Sequence, residues 1–130
     1  MVTYLNYKAY LTKLLKESRR LETILNDLVC AVIEFGAFLP KNYDFLSDGM
    51  VNPSTGDLLA KALKNDLDIT IVDVEENRSY NVKLGDFVEG LMLCLTEFPR
   101  VYANIIEDKP DFEDIYIYIQ FVAFKNMKYD

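Results

Sequence analysis

The chain contains no histidine and no tryptophan, and only two cysteines. Without an imidazole, the usual general base near neutral pH is missing. Ser-His-Asp and Cys-His nucleophilic catalysis and the His-containing zinc sites go with it. Cys30 and Cys94 lie 64 residues apart and no C-x-x-C occurs, which argues against a thiol redox motif or a zinc knuckle. Each sits in an apolar run and reads as a small core residue in a reducing compartment. A Cys30–Cys94 disulfide is the alternative. No apolar stretch approaches the roughly 20 residues that a membrane-spanning helix needs. No apolar segment follows Lys8 as a secretory signal would require, so a cytoplasmic location is the default expectation. Neither G-x-x-x-x-G-K-[ST] nor G-x-G-x-x-G is present, so phosphate-loop and dinucleotide readings have no footing. These absences lead to the expectation of a protein that is not an enzyme and uses no cofactor and no metal.

What is present is a globular composition: 130 residues, 51% apolar and 27% charged. At that length one domain, 1–130, is expected, with about two-thirds of the unfolded surface buried on folding. The charge is acidic, with 14 basic against 21 acidic side chains and a net charge of −7. It is unevenly spread: residues 1–41 carry six basic and four acidic side chains, residues 42–130 eight basic and seventeen acidic. Direct binding to a nucleic-acid backbone needs cations that displace counterions. An acidic surface suits the opposite role, binding a basic protein by presenting carboxylates where phosphates would sit.

The first 36 residues read as one long helix. Tyr4, Tyr7, Leu11, Leu14, Ser18, Leu21, Leu25, Leu28, Val32 and Phe35 recur at steps of three and four, and only Ser18 interrupts this seam. Gly36 and Pro40 mark its end. Residues 37–57 are turn-rich, yet hold Phe38, Leu39, Tyr43, Phe45, Leu46, Met50 and Val51, and read as a loop packed by its own side chains. The mixed part, 58–130, follows. Ser54 and Asp57 have capping-box spacing before a short helix to Lys64. Ile69–Val74 and Ser79–Leu84 are strand-like and form an antiparallel hairpin around Glu75–Arg78. Two strands alone are marginal, so the hairpin must pack on helices or extend into a larger sheet. Asp86 and Glu89 open another helix, which stops at Pro99, and Pro99 suits the first turn of the next. The segment Ile115–Phe124 is open between strand and helix. Its β-branched and aromatic residues favour a strand, whereas Pro110, Asp111 and Asp114 form a helix-start signal. The fold class expected is α+β: a long N-terminal helix packed with three to four shorter helices and one antiparallel β-hairpin.

Asp114, Gln120, Phe121, Phe124 and Tyr129 lie in the order of a D-x(5)-Q-aromatic-x-x-F-G-E-x-x-Y-G signature. Ile69–Glu75, Tyr80–Leu84 and Gly90-Leu91 match an accompanying I-x-V-x-D-x-E strand, a second strand and a G-L helix. In these features the C-terminal half resembles small uncharacterised proteins encoded in phages and mobile elements. It carries Lys125, Asn126 and Asp130 where the signature has Gly, Glu and Gly. The resemblance implies a mobile-element origin and a helical last segment, and no activity.

The densest charge cluster is Glu107, Asp108, Asp111, Glu113 and Asp114, five acids within eight residues. It suits a cationic groove of a partner, or is simply an acidic helix start. Tyr4 and Tyr7, on the first helical turns, are candidate aromatic anchors for a partner. The leading expectation is a small, acidic, non-catalytic interaction protein, an inhibitor that blocks a basic, nucleic-acid-binding host defence protein. The alternative is an assembly module that homodimerises through the Tyr4–Leu14 part of the seam. A third reading, a Mg²⁺-dependent hydrolase at Asp66, Asp68, Asp73, Glu75, Glu76 and Lys83, is weakened because Asn81 stands where an acid two residues before Lys83 is required. Lys13, Lys16 and Arg20 share one face of a continuous helix and form a smaller basic stripe.

Overall fold

A computed structural model describes the chain over residues 4–34, 38–41, 55–73 and 75–129. The first helical stretch is two helices, α1 (Tyr4–Glu17) and α2 (Arg20–Glu34), and not one. The break falls at Ser18, the one polar residue of the seam. Its hydroxyl accepts the Arg20 N–H at 3.3 Å, as an N-cap does, and its carbonyl accepts from Lys64 Nζ at 2.9 Å. Both backbone needs that the break creates are therefore met by side chains. Leu11 and Leu15 are fully buried within the chain itself, and Tyr7 and Leu14 are partly buried against the same core. The N-terminal seam is thus covered by the protein's own elements, α4 foremost. Tyr10, at 51% exposure, is its outward-facing aromatic.

The β-hairpin is present as β2 (Ile69–Asp73) and β3 (Arg78–Val82), paired antiparallel with Ile71 opposite Tyr80. Asn77 adopts the left-handed conformation in its turn, which Asn tolerates. The sheet does not stop at two strands. Phe38–Lys41, expected as loop, forms β1 and pairs antiparallel with β2, giving the order β1-β2-β3. Pro40 is compatible with this because β1 is an edge strand and need not donate to a ladder on both sides. The rest of the expected 37–57 loop, apart from the start of α3, lies outside the described residues, as does Ser54.

Helix α3 (Thr55–Lys64) runs antiparallel to α2. Asn26 donates to Asp57 at 3.0 Å, Arg19 pairs with Asp57 at 3.7 Å and Lys64 with Glu22 at 2.7 Å. Helix α4 (Leu84–Glu97) begins earlier than the Asp86–Glu89 spacing predicts. Lys83 is its N-cap, and Asp86 accepts the Lys83 N–H at 2.8 Å from the third helical position. Helix α5 (Pro99–Ile106) starts on proline as expected. Its terminal carbonyls, of Ile105 and Ile106, accept from the Arg20 guanidinium at 3.2 and 3.0 Å. That places a cation at the negative end of the helix dipole and removes Arg20 from the expected basic stripe.

The last segment is helix α6 (Phe112–Phe124). Its strand-forming residues are overridden by an N-terminal cap and by burial on several sides. Asp111 caps it, accepting the Asp114 N–H at 2.8 Å, while Asp114 accepts the Asp111 N–H at 3.1 Å. Helix α6 packs against α4, α2, α5 and β3. Tyr118 is completely buried and donates its hydroxyl to the Phe87 carbonyl at 2.6 Å. The closest approach to α4 is at Gly90, where an added Cβ would lie 2.9 Å from a Val122 methyl carbon and 3.1 Å from the Tyr118 ring. Among the described residues, one core of aliphatic and aromatic side chains joins the helices α1 to α6 and the hairpin. The fold is α+β, and no helix among the described residues is long and apolar enough to cross a membrane.

Two glycines of α4 separate packing from propensity. Gly85→Ala meets nothing within 4 Å and is expected to gain about 0.5 kcal/mol from reduced unfolded-state freedom. Gly90→Ala is expected to lose about 1–3 kcal/mol through overpacking, despite the same gain in propensity. Urea unfolding of the two variants, read as midpoint shifts of opposite sign, checks this.

Candidate functional site

The acidic cluster predicted from the sequence lies at the turn joining α5 to α6. Glu107 is the C-cap of α5, is exposed, and pairs with Lys109 at 2.8 Å. Asp108 is exposed and sits in the left-handed region at φ 59°. Asp111 and Glu113 are exposed at the start of α6, where the helix N-terminus favours negative charge. Between them Phe112 is 42% exposed. Asp114 differs from its four companions. It is 3% exposed and accepts from Asn104 Nδ2 at 2.9 Å, so its carboxylate holds α5 to α6 and faces no partner.

Tyr7 does not join this edge. Tyr7 packs its ring 6.5 Å from that of Tyr102, and the two hydroxyls are hydrogen-bonded. Burial, then the neighbouring Tyr10, pushes the Tyr7 phenol up from its ordinary value. Tyr102 lies five residues before Glu107, about 7–8 Å along the α5 axis at 1.5 Å per residue. Tyr4 begins α1, and its side chain lies outside the described ones.

The hairpin acids do not converge. Asp66 pairs with Lys16 at 3.8 Å and Asp68 with Lys83 at 3.6 Å. Asp73 points inward. Among the described residues no group of three or more acids or cysteines is placed to hold a metal ion. Cys94 is a free thiol, fully buried, and burial with the nearby Asp114 pushes its pKa up to about 12. It is expected to resist alkylation at pH 8 until the protein is unfolded, which a thiol-reactive dye measures with and without denaturant. The side chain of Cys30 lies outside the described ones.

A second polar assembly was not foreseen as a site. It surrounds Asp73, at the end of β2 and 0% exposed. One oxygen, Oδ1, accepts the backbone N–H groups of Glu75 and Glu76 at 3.1 and 3.4 Å. The other, Oδ2, accepts the Tyr129 hydroxyl at 2.6 Å and Lys128 Nζ at 3.1 Å. Lys128 also pairs with Glu76 at 2.6 Å. Gln120, 0% exposed in the middle of α6, holds the same tail by its backbone. Its Oε1 accepts the N–H groups of Lys128 and Tyr129 at 2.9 and 2.7 Å, and its Nε2 donates to the Tyr129 carbonyl at 3.1 Å. The chain turns into this tail at Lys125, left-handed at φ 64°. Lys125 ties the turn to α4 through Asp86 at 2.8 Å. Gln120 inside an otherwise apolar run is the signal in the sequence.

Burial by itself would raise the Asp73 pKa, but the Tyr129 hydroxyl, the Lys128 ammonium and the Glu76 amide outweigh it and hold the carboxyl below its ordinary 3.8. Asp73 in return pushes the Tyr129 phenol up to about 12. Glu76 and Asp73 also raise the Lys128 ammonium.

No family model, no curated protein and no solved structure matches the chain.

Because the Asp73 pKa is depressed on folding, its stabilisation is complete above the unfolded value near 3.8 and is lost as the pH falls through the folded value. Asp73→Ala is expected to cost about 3 kcal/mol at pH 7 by leaving Lys128 and Tyr129 without their acceptor. The gap between wild type and variant should close below pH 3.8. Asp27 has the opposite sign, since burial raises its pKa. Asp27→Asn is expected to raise the melting temperature at pH 7 and to lose that advantage in acid. Thermal unfolding across pH 2–7, in about one-unit steps, reads both effects.

Proposed function

We propose that the protein is a small, acidic, non-catalytic interaction module whose partner-facing surface is the α5–α6 turn. The observation that carries this reading is the arrangement of Glu107, Asp108, Asp111 and Glu113, all exposed, around the exposed ring of Phe112. Carboxylates spaced along a turn present acceptors to the lysines and arginines of a phosphate-binding groove, and an aromatic among them supplies the apolar anchor that such contacts lack. Asp114 and Tyr7 are not part of this surface, because their polar atoms are engaged inside the fold. The partner is a basic protein of the kind that binds nucleic acid, and occupying its groove inhibits it. The resemblance of the C-terminal half to mobile-element proteins makes a host defence protein the natural target. Electrostatic steering of this type speeds association and weakens as salt screens it.

The test removes charge and keeps the backbone chemistry. In Glu107→Gln, Asp108→Asn, Asp111→Asn and Glu113→Gln together, Asn retains both the left-handed position and the helix cap. The net charge changes from −7 to −3, the four removed charges accounting for the difference. Affinity capture from a nuclease-treated bacterial lysate should recover basic, nucleic-acid-binding proteins with the wild type in a salt-sensitive manner. The quadruple variant should recover them at least about tenfold less well while its melting temperature stays within about 3 °C. Equal recovery by the two proteins, or recovery indifferent to salt, overturns the proposal.

A further inference from the structure

The contacts at the C-terminal tail divide cleanly into a receiving side and an occupying side. The receiving side is Asp73 and Glu76 from the hairpin with Gln120 and Phe124 from α6, all set by regular secondary structure or its immediate turn. The occupying side is Lys128 and Tyr129, which follow the left-handed residue Lys125 and belong to no helix or strand.

Each receiving group performs a distinct recognition task. The Gln120 amide makes three hydrogen bonds to main-chain atoms of residues 128 and 129. Two successive N–H groups turned toward one acceptor are a main-chain feature, so this grip is blind to side chains. Selectivity comes from the carboxylates. Asp73 Oδ2 accepts a hydroxyl and an ammonium at once, at 2.6 and 3.1 Å. Glu76 takes the same ammonium at 2.6 Å, and that nitrogen also stands 5.0 Å from the centre of the Phe124 ring. The Phe124 ring meets Tyr129 edge-on at 6.3 Å. It also meets Tyr80 edge-on, at 4.9 Å. A lysine followed by a tyrosine satisfies every one of these groups.

The Asp73 carboxylate is also aimed independently of the tail, because its other oxygen is pinned by the Glu75 and Glu76 N–H groups. Emptying the cradle would take from Asp73 Oδ2 and the Gln120 amide the partners that the tail supplies. We infer that this cradle is a binding site for a Lys-Tyr segment, held in this chain by its own tail, and that the same dipeptide on another polypeptide exchanges with it. The tail acts as an intramolecular competitor at an effective concentration on the order of millimolar, so a partner engages the cradle when the tail is drawn away or outbid. The inference does not depend on the α5–α6 edge.

The test uses the full-length chain carrying Lys128→Glu and Tyr129→Ala, which strips the tail of its contacts and leaves every cradle residue in place. The probe is a synthetic peptide with the sequence of residues 125–130. Calorimetry and thermal shift should show the peptide binding this variant and raising its melting temperature. Peptides in which Phe replaces the tyrosine, or Glu the lysine, should bind at least about tenfold more weakly, consistent with loss of one charge-assisted contact each. Adding Asp73→Asn to the variant should abolish the difference between native and Phe-substituted peptides. No shift at millimolar peptide with a cooperatively folded variant, or equal binding of all three peptides, overturns the inference. If the double variant does not fold, Tyr129→Phe carries the same test, because it loses one hydroxyl contact only. The native peptide should then displace the weakened tail, seen as shifts of the Gln120 side-chain amide resonances, and the Phe-substituted peptide should not. Equal responses to the two peptides, or none to either, overturn it equally. No acidic residue of the α5–α6 turn is altered, so the result is separate from the fate of the proposed function.

Discussion

A helix that is apolar around its whole circumference has to be covered on every side, and α6 sets that demand for this protein. Seven of its thirteen residues are buried. The remaining elements are arranged as its covering: α4 along one side, α5 and α2 on others, and β3 near its C-terminal end. The tightest part of this contact depends on Gly90, whose missing side chain lets α4 approach Val122 and Tyr118. Close approach on one flank then leaves the α6 polar groups little solvent, and every buried one has to find a protein partner.

Those partners explain the unusual interior. Tyr118 uses a helix carbonyl of α4, Asp114 uses Asn104 and the cap of its own helix, and Gln120 uses the backbone of the tail. Asp73 is the counterpart on the sheet. In each case a polar side chain in a low-dielectric setting has its hydrogen-bonding capacity matched to a particular neighbour, which specifies the arrangement more than it stabilises it. Asp114, Gln120, Phe124 and Tyr129, with Gly90, therefore each hold the structure together. They fasten the start of α6, its middle and the tail that follows it. Lys125 stands where the backbone is left-handed, a position that favours glycine. Its ion pair with Asp86 compensates.

The same economy divides the acidic residues into two populations. Asp73 and Asp114 are internal connectors, and Asp86 and Glu22 tie elements together through Lys125 and Lys64. Glu107, Asp108, Asp111 and Glu113 remain at the surface. The excess of negative charge in residues 42–130 is therefore partly used inside the fold; Asp57, Asp66, Asp68, Glu75, Glu76, Glu89 and Glu97 are exposed as well, and the α5–α6 turn is the densest run of exposed acids along the chain.

Periodicity and punctuation in the chain are enough to read α3, α5, the β2–β3 hairpin and the α+β class, because each rests on local signals: a proline at the first helical turn, alternation around a tight turn, apolar spacing of three and four. The break at Ser18 is also marked in the sequence, as the single polar step in the seam. Spacing alone treats it as a tolerated interruption, however, since Lys64, which satisfies the freed Ser18 carbonyl, is brought there by α3, and the carbonyls that hold the Arg20 side chain are brought there by α5. The strand-or-helix question over 115–124 turns on how many sides are buried, which no local window contains. The acidic cluster is visible as composition, but only packing separates Asp114 from its neighbours and draws Tyr7 inward to Tyr102. The Asp73–Gln120–Tyr129 assembly is the extreme case: its members are 47 and 9 residues apart along the chain, and nothing local pairs them. Hydrogen bonds and apolar periods within a few residues are encoded where they are read. Charge pairing and burial across long separations exist only once the chain has closed on itself.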